Sequence, residues 1–303
     1  MDTNVYREIS LLLRKDDALS LVIMLDQNAF HGLCGYYEVL FDETKSNLNS
    51  DFTTVVLFFQ SDDSEAGIRI EIFLAALGIE AISQSEKQVS RTEYLEAYKK
   101  HYTSFDITER IKIVPSWEKE KIITGSESDK IYLYLDPGLA FGTGLHPTSK
   151  LCLGYMDENP PAGLRIIDAG CGSGILSIGA ILLGAEEVFA FDIDGNSILA
   201  VRNNLELNSG VDKKIILKKG GFDLKEFTEY PADILLGNLT ASILLTNRNY
   251  INQGKYNKMI LSGILSEKEE EVIEAFQDKW KNVYRSGLDG WSILVFDRIP
   301  NTQ

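Results

Sequence analysis

The chain has 303 residues, 44% of them apolar, which is enough to bury the cores of two domains. Its 45 acidic and 30 basic residues give a net charge of −15, a sign that disfavours nucleic acid as a direct partner and favours a small basic protein. The three cysteines, Cys34, Cys152 and Cys171, form no C-x-x-C pair or metal-ligand spacing, which argues against a disulfide framework and a metal site.

The first 90 residues predict a small α+β domain. Apolar alternation indicates strands, and apolar spacings of three and four between polar boundaries indicate helices. In chain order we expect a strand at 5–13, a helix at 16–27, strands at 36–43 and 52–60, a helix at 62–78 and a short strand at 80–84. The order β-α-β-β-α-β is that of a ferredoxin-like unit, a fold that hosts many functions.

A linking region is expected at residues 91–130. Residues 91–117 predict a helix followed by a strand, and the polar segment after them, "SWEKEKIITGSESDK", predicts an exposed loop or hairpin. Next comes "KIYLYLDPG", an apolar strand that ends at an Asp-Pro-Gly turn and opens the second domain, residues 131–303.

Strict strand–helix alternation marks the second domain. Strands are predicted at 165–169, 187–192, 214–218, 232–237 and 258–262, and helices at 174–184, 195–208, 241–252 and 266–280. Short apolar strands that alternate with helices are typical of a parallel sheet covered on both faces. The closing segment, "VYRSGLDGWSILVF", predicts an antiparallel hairpin at the sheet edge. The predicted fold class is therefore α/β, a Rossmann-like, seven-stranded and mostly parallel sheet, preceded by the smaller ferredoxin-like domain.

A glycine-rich turn follows the first strand of this sheet, in "RIIDAGCGSGILSIGA". Gly170, Gly172 and Gly174 would let the backbone approach a ligand, and the helix N-terminus after them would offer free N–H groups. The next strand ends at Asp192, where a carboxylate can bind both ribose hydroxyls of a nucleoside. Together these features predict a nucleoside-cofactor site.

The glycine spacing distinguishes two cofactor classes. A dinucleotide site favours G-x-G-x-x-G, whereas this turn has G-x-G-x-G and follows an acid, Asp168. We interpret the arrangement as a site for S-adenosylmethionine, which lacks phosphate and carries a sulfonium. A nicotinamide cofactor is the alternative.

Nothing in the sequence predicts secretion or membrane insertion. The first residues, "MDTNVYREIS", lack a basic and apolar leader. The longest apolar run, "ILSIGAILLGA", is much shorter than the roughly 20 residues that span a bilayer. With the sparse cysteines, these features predict a cytoplasmic protein.

Five motifs within residues 131–265 carry a family resemblance: "DPGLAFGTGLHPTSKLCL", "IIDAGCGSGILSIGA", "FDIDGNSILAVRNN", "GNLT" and "LSGIL". In these motifs the chain resembles the PrmA family, the methyltransferases of ribosomal protein L11. The resemblance implies that the N-terminal domain, residues 1–90, recognises the ribosomal protein. It also implies a class I methyltransferase domain that moves methyl groups from S-adenosylmethionine to lysine side chains and the N-terminal amine.

The resemblance also implies which residues form the site. The family's cofactor contacts fall on Ser149, Gly170, Asp192 and Asn238. We expect the glycine turn, with Gly172 and Gly174, to lie under the methionine end of the cofactor. The loop that contains Phe141 and Thr143 would fold over it, and Pro147 would begin the next helix.

Three more residues near the site are interpreted from their sequence context. His146 could act as a general base, but a role in shaping its loop is favoured. Cys171 is interpreted as a small filler of the turn rather than a nucleophile. Asn238 would face the substrate amine, and its Asn-Leu-Thr sequence lacks the Asn-Pro-Pro-aromatic of enzymes that methylate planar amino groups. That difference favours lysine over a flipped base.

Two departures from the family pattern lie near this site. Leu145 stands where the family usually has threonine, and "GNLT" replaces Ala-Asn-Ile-Leu. The expected partner is the basic ribosomal protein, without direct contact to nucleic acid or membrane. The alternatives are methylation of another protein lysine or a small-molecule amine, or a nicotinamide-dependent oxidoreductase or a cofactor-binding module without chemistry.

Overall fold

The computed structural model describes residues 5–27, 30, 32–39, 51–90, 92, 93, 96, 99, 102–122, 130–136 and 142–300. The chain divides into two compact units, Met1–Thr103 and Ser104–Gln303. In the linking region, residues 92, 93, 96 and 99 are helical.

The first unit is a four-stranded sheet with helices packed on one face. Its elements are β1 (Val5–Arg14), α1 (Lys15–Gln27), β2 (Leu33–Val39), β3 (Phe52–Gln60), α2 (Ala66–Leu77) and β4 (Ser83–Ser90). The strand order is β2-β3-β1-β4, and all neighbours are antiparallel. This topology is ferredoxin-like, as predicted.

Strand alternation explains the core of this unit. Ile9, Leu11 and Leu13 of β1 are fully buried and share one core with apolar residues of β3, α1 and α2. Helix α2 ends at Gly78, which has the left-handed conformation (φ 69°) that a helix C-terminus favours in glycine. The predicted boundaries of the central elements of this unit therefore follow from apolar periodicity and from glycine.

Two strands of the first unit differ from the prediction. β4 runs from Ser83 to Ser90 rather than over 80–84. Its first six residues are all exposed, so it has no apolar alternation, and backbone pairing with β1 holds it in the sheet. β2 begins at Leu33, earlier than predicted, and residues 40–43 of its predicted range lie outside the described residues.

The second unit contains a small sheet and a large one. The small sheet consists of β5 (Phe105–Asp106), β6 (Ile111–Pro115) and β7 (Ile131–Leu135), in that order. The large sheet consists of β8 (Arg165–Ala169), β9 (Glu187–Asp192), β10 (Ile215–Lys219), β11 (Ile234–Asn238), β12 (Lys258–Leu265), β13 (Trp280–Leu288) and β14 (Trp291–Arg298). The helices of this unit are α3 (Pro147–Glu158), α4 (Ile175–Leu182), α5 (Gly195–Leu207), α6 (Lys225–Glu229), α7 (Ala241–Thr246), α8 (Arg248–Ile251) and α9 (Glu269–Phe276).

The large sheet confirms the predicted fold class. Its order is β10-β9-β8-β11-β12-β14-β13. The five strands from β10 to β12 in this order are parallel. At one edge, β14 pairs antiparallel with β12 and with β13. The chain order reverses between β8 and β11, and ligands of open α/β sheets bind at the carboxyl ends of the strands at such a switch point. The glycine turn after β8 lies at this switch point.

Two predicted helices of this unit are wrong in extent. The helix expected at 241–252 is two short helices, α7 and α8, that break at Asn247. The Asn247 side chain donates to the carbonyl of Ile243, a local bond that competes with helix continuation. The helix expected at 266–280 covers only Glu269–Phe276, because Trp280 begins β13.

The edge hairpin has the turn that its sequence indicates. Asp289 (φ 50°) and Gly290 (φ 79°) connect β13 to β14, and both have positive φ. A two-residue Asp-Gly turn with this geometry matches the twist of antiparallel strands.

An arginine closes the core at the end of β14. The guanidinium of Arg298 lies 4.5 Å above the ring of Trp280 and 5.7 Å from the ring of Tyr256. It donates to the carbonyls of Tyr256 (2.8 Å) and Gly254 (2.6 Å). The two rings are stacked at 5.6 Å and belong to the main core of the unit. One planar cation therefore satisfies two backbone carbonyls and covers two aromatic faces.

We expect Arg298→Lys to lower the free energy of unfolding by about 1–3 kcal/mol, because an ammonium cannot reproduce the planar pair of donors and the ring contact. Urea denaturation of the full chain measures this loss. The control is Arg285→Lys, since the Arg285 side chain is 58% exposed and forms surface ion pairs. We expect that control to change stability by less than about 0.5 kcal/mol. Equal effects of the two substitutions would contradict the role of Arg298.

Candidate functional site

The glycine turn after β8 has the backbone conformation that its sequence predicts. Gly170 (φ 70°), Gly172 (φ 53°) and Gly174 (φ 81°) all have positive φ. A Cβ at Gly170 would lie 2.5 Å from the side chain of Leu239, so no larger residue fits there without displacing that leucine. The turn therefore favours glycine for its conformation, and a larger residue at 170 would also have to displace the end of the Leu239 side chain.

Asp192 ends β9 and fixes the glycine turn. One of its carboxylate oxygens accepts from the amide of Gly172 (2.9 Å), and the other accepts from the amide of Asp194 (2.9 Å). The carboxylate is partly exposed, and Ile193, directly after it, is 76% exposed. The structure thus brings Asp192 and the predicted glycine turn into direct contact.

Most amide groups of the turn itself, as distinct from those of the helix after it, already have partners within the chain. Gly170 and Cys171 donate to the carbonyl of Phe191 (2.9 and 3.1 Å). Gly172 donates to Asp192, and Gly174 donates to the carbonyl of Cys171 (2.8 Å). A pyrophosphate site needs such amides to point at the ligand. These four amides point at the protein instead.

A second acid, Asp168, is buried beneath the turn. It is 1% exposed, and its carboxylate accepts from the hydroxyl of Ser177 (2.5 Å). Burial is the main cause that raises the pKa of Asp168 to about 6; the Ser177 hydrogen bond opposes this rise, and the nearby charge of Asp192 adds to it. At neutral pH the turn therefore has two carboxylates beside it, and it favours a cation over an anion.

The loop before α3 lies against the glycine turn. The hydroxyl of Ser173 donates to the carbonyl of Gly142 (2.6 Å). A Cβ at Gly142 (φ 101°) would lie 2.7 Å from the Ser173 hydroxyl, and one at Gly144 would lie 2.9 Å from Ile175. Thr143 lies between these two close approaches, and Phe141 is outside the described residues. The structure therefore brings the two glycine clusters of the sequence together.

Helix α3 begins at Pro147, as predicted, and His146 caps it. Nδ1 of His146 accepts from the amide of Thr148 and lies 2.7 Å from its hydroxyl oxygen. The His146 ring packs edge-on against Trp291 at 4.8 Å. These contacts support the loop-shaping interpretation of His146. Nδ1 of His146 thereby caps the N-terminus of the helix that carries Ser149.

Ser149 is fully buried in the first turn of α3. Its hydroxyl has no hydrogen-bond partner among the residues that the structure describes. One turn later, Cys152 is buried beside Asp168, and burial raises the pKa of its thiol to about 12. Burial also raises the pKa of Cys171, so neither thiol is activated as a nucleophile.

Asn238 ends β11 on the other side of the switch point. It pairs with Ser262 of β12, and the next residue, Leu239, donates its amide to the Ser262 carbonyl (2.9 Å). β12 has a bulge here, with Gly263 at φ 79°. A Cβ at Gly263 would lie within 2.7–2.9 Å of the Leu239 backbone. The bulge therefore makes room for the segment that carries Asn238.

Comparison with known proteins identifies the family. The sequence profile described as ribosomal protein L11 methyltransferase (PrmA) matches residues 2–299. A ribosomal protein L11 methyltransferase of Leptospira interrogans is 33% identical over 300 residues, which is 97% of this chain and 99% of the relative. The chain belongs to the ribosomal protein L11 methyltransferase family. This confirms the resemblance seen in the sequence motifs and favours methyl transfer over the oxidoreductase alternative.

Two further members of the PrmA family are similar. A ribosomal protein L11 methyltransferase of Lactococcus lactis subsp. cremoris is 35% identical over 225 residues, 73% of this chain and 69% of the relative. The crystal structure of a ribosomal protein L11 methylase from Lactobacillus delbrueckii subsp. bulgaricus superposes with a TM-score of 0.55 at 27% identity. It covers 65% of this chain and 99% of that structure.

Four residues of this candidate site were not predicted from the sequence, namely Ser173, Asn204, Leu239 and Gly263. Ser173 and Asn204 are buried polar residues, and Nδ2 of Asn204 donates to the carbonyl of Ser173 (2.8 Å). The sequence offers one signal for Gly263, the "LSGIL" motif, since a glycine inside a strand indicates a bulge or a close approach.

The described ranges hold neither a membrane-spanning helix nor a cluster of metal-binding side chains. Each helix found there is too short or too polar to cross a bilayer. Nor do three or more His, Cys, Asp or Glu side chains come together there in a way that could hold a metal ion.

We expect Asp168→Asn to stabilise the protein at pH 7.5. A carboxyl whose pKa rises on folding takes up protons as it folds, so its contribution favours folding at low pH and is lost as the pH rises from about 4 to about 6. Two pKa units correspond to roughly 3 kcal/mol. The amide keeps the acceptor for Ser177, so the variant should unfold at higher urea concentration at pH 7.5, and its free energy of unfolding should depend less on pH.

The exposed Asp278 serves as the control, and Asp278→Asn should change neither the urea midpoint nor its pH dependence. A less stable Asp168→Asn at pH 7.5 would contradict the assignment.

We expect Gly263→Ala to lower methyltransferase activity by more than its loss of stability explains. The new Cβ would collide with the Leu239 backbone and displace Asn238. Gly290→Ala is the matched control, since Gly290 has the same φ of 79° and a Cβ at this position would meet no described atom within 4 Å. Both variants should lose about 1–3 kcal/mol of stability through backbone strain. Only Gly263→Ala should lose most of its turnover at a temperature where both are folded. Equal turnover of the two variants would exclude the proposed collision.

Proposed function

We propose that this protein is an S-adenosylmethionine-dependent N-methyltransferase that methylates ribosomal protein L11 on lysine side chains and on its N-terminal amine. The observation that carries the proposal is the glycine turn, where two carboxylates, Asp168 and Asp192, accompany amides that already donate within the chain. Such a turn repels a pyrophosphate and favours a cationic sulfonium. Membership of the PrmA family supports the choice of substrate.

The side chains at the turn fit this cofactor. Each oxygen of Asp192 accepts one backbone amide and keeps acceptor capacity for a ribose hydroxyl. The exposed side chain of Ile193 offers an apolar surface beside it. A buried hydroxyl usually has a partner, and among the described residues that of Ser149 has none, so a ligand could supply one.

We assign the turn as the floor of the cofactor site and the preceding loop as its cover. Gly170, Gly172 and Gly174 would form the floor. Thr143, and Phe141 before it, would belong to the cover. The bond between Ser173 and Gly142 supports this arrangement, because it joins the loop to the turn.

The protein's contribution to the reaction is alignment and selection of the neutral amine. When bound, S-adenosylmethionine supplies an electrophilic methyl group. Lysine has an unperturbed pKa near 10.4, and removal of the amine from water favours its neutral form. We assign Asn238, at the end of β11, to orient the amine lone pair together with backbone carbonyls.

We propose that the first unit, Met1–Thr103, recognises the ribosomal protein. The net charge of −15 is complementary to a basic protein and disfavours direct contact with nucleic acid. The three cysteines, without a C-x-x-C pair, support the cytoplasm as the place of the reaction.

The direct test combines a substrate assay with a binding assay. Purified protein, ribosomal protein L11 and isotopically labelled S-adenosylmethionine should give labelled L11, with methyl groups on lysine and the N-terminal amine by mass spectrometry. Asp192→Ala should weaken binding of S-adenosylhomocysteine by at least roughly 100-fold, since it removes an acceptor of two charge-assisted hydrogen bonds. Asn238→Ala should lower turnover more than cofactor affinity.

The two halves of the proposal fail separately. Unchanged affinity of Asp192→Ala in calorimetry would refute the cofactor site. Normal cofactor binding with unmodified L11 would refute the substrate, and assays with other lysine-bearing proteins and small amines would then follow.

A further inference from the structure

A buried asparagine joins the glycine turn to the end of β7. Asn204 lies on α5 and is fully buried. Its Nδ2 donates to the carbonyl of Ser173 (2.8 Å), and its Oδ1 accepts from the amide of Asp136 (2.7 Å). One side chain thus binds the carbonyl of Ser173, inside the glycine turn, and the amide of Asp136, the residue that follows β7.

The side chain of Ser173 adds a second connection. Its hydroxyl donates to the carbonyl of Gly142 (2.6 Å), and it accepts from the amide of Ile175 (3.3 Å). Ser173 is 2% exposed. Asp136 and Gly142, the described residues on either side of 137–141, are therefore both bound to Ser173, the first through Asn204 and the second directly.

The chemistry of this position requires an amide. Asparagine is a poor helix former, so its presence inside α5 needs another reason. If leucine replaced Asn204, the carbonyl of Ser173 would lose this donor, and an unpaired buried carbonyl lowers the stability of the fold. An aspartate could accept from Asp136 but could not donate to Ser173, and it would add a third carboxylate near Asp168 and Asp192. Asparagine offers a donor and an acceptor without charge.

We propose that Asn204 is a positioning residue for cofactor binding, which acts by fixing the Ser173 peptide. This inference depends on the proposed function. The amide of Gly172, one residue before Ser173, donates to Asp192. The Ser173 carbonyl shares a peptide plane with the amide of Gly174, which donates to the carbonyl of Cys171 (2.8 Å). Rotation of this peptide would break the bond that closes the turn around Gly172, and would so move the Gly172 amide away from the carboxylate. Asn204 therefore keeps Asp192 and the glycine turn in the geometry that receives the cofactor.

The same helix provides a matched control. Asn208, one turn further on, is 4% exposed and caps the C-terminus of α5. Its Nδ2 donates to the carbonyls of Tyr134 (2.7 Å) and Asn204 (2.8 Å), and its Oδ1 accepts from the amide of Tyr134 (3.0 Å). It ties β7 to α5 as Asn204 does, but within the described residues it has no hydrogen bond to the glycine turn.

The experiment compares wild-type protein, Asn204→Ala, Asn208→Ala and Ser173→Ala. Calorimetry measures the affinity for S-adenosylhomocysteine, and amide hydrogen exchange without ligand measures the protection of residues 170–175. Thermal denaturation confirms that each variant is folded. Asn204→Ala should bind roughly tenfold more weakly or worse, with faster exchange in the turn, while Asn208→Ala should stay within about twofold of wild type. Ser173→Ala keeps the Asn204 bonds and removes only the hydroxyl, so it should have an intermediate effect.

The outcomes separate the inference from the proposed function. Equal effects of Asn204→Ala and Asn208→Ala on affinity and on exchange would overturn the positioning role. If Asn204→Ala does not fold, unchanged affinity and exchange in Ser173→Ala would overturn the coupling instead. A wild-type protein that does not bind S-adenosylhomocysteine would refute the proposed function, and the exchange data would still decide whether Asn204 fixes the turn.

Discussion

The carboxylate of Asp192 joins the two strand ends on which the site is built. It accepts the amide of Gly172 from the turn after β8 and the amide of Asp194 from the chain that leaves β9. The carbonyl of Phe191, beside it, accepts two more amides of the same turn. The loop after one strand is therefore held by hydrogen bonds to the end of its neighbour. Because these amides are occupied, recognition is left to side chains and to charge, and this is the physical difference from a phosphate-binding glycine loop.

The buried carboxylate of Asp168 beneath the turn lowers the stability of the fold. Asp168 is almost completely buried, and burial raises its pKa to about 6. Its hydroxyl partner, Ser177, compensates only part of the lost hydration. A neutral side chain of the same shape would be less costly to bury, so the stability of the fold does not by itself account for an acid at this position. Active sites commonly retain groups of this kind at the expense of stability.

The sequence was sufficient for features that depend on local pattern, and insufficient for those that depend on tertiary contact. The glycine spacing, the acid at the end of β9 and the Asp-Gly hairpin turn all follow from short-range rules. Strand β4 has no apolar alternation, so only its pairing with β1 reveals it. Asn204 is similar: it appears to be an ordinary helix residue until the fold brings Ser173 and Asp136 to its two ends. The start of β13 at Trp280 likewise comes with a tertiary contact, the hydrogen bond from its indole to Asn252. The break at Asn247 comes with a local side-chain bond, which apolar periodicity does not show either.

Backbone geometry positions the segment that carries Asn238, and this explains how the Asn-Leu-Thr sequence fits. Leu239 is positioned by its amide bond to Ser262 and by the space that Gly263 leaves, while its side chain covers Gly170. An isoleucine, usual in the family, and a leucine both provide an apolar cover of the same volume. The next residue, Thr240, accepts from the amide of Ile243 and caps α7, a role that the family's usual leucine could not perform. The substitutions at 239 and 240 therefore keep the path of the chain and the place of Asn238. In this chain the bulge beside the strand, rather than the identity of each side chain after it, makes the room for this segment.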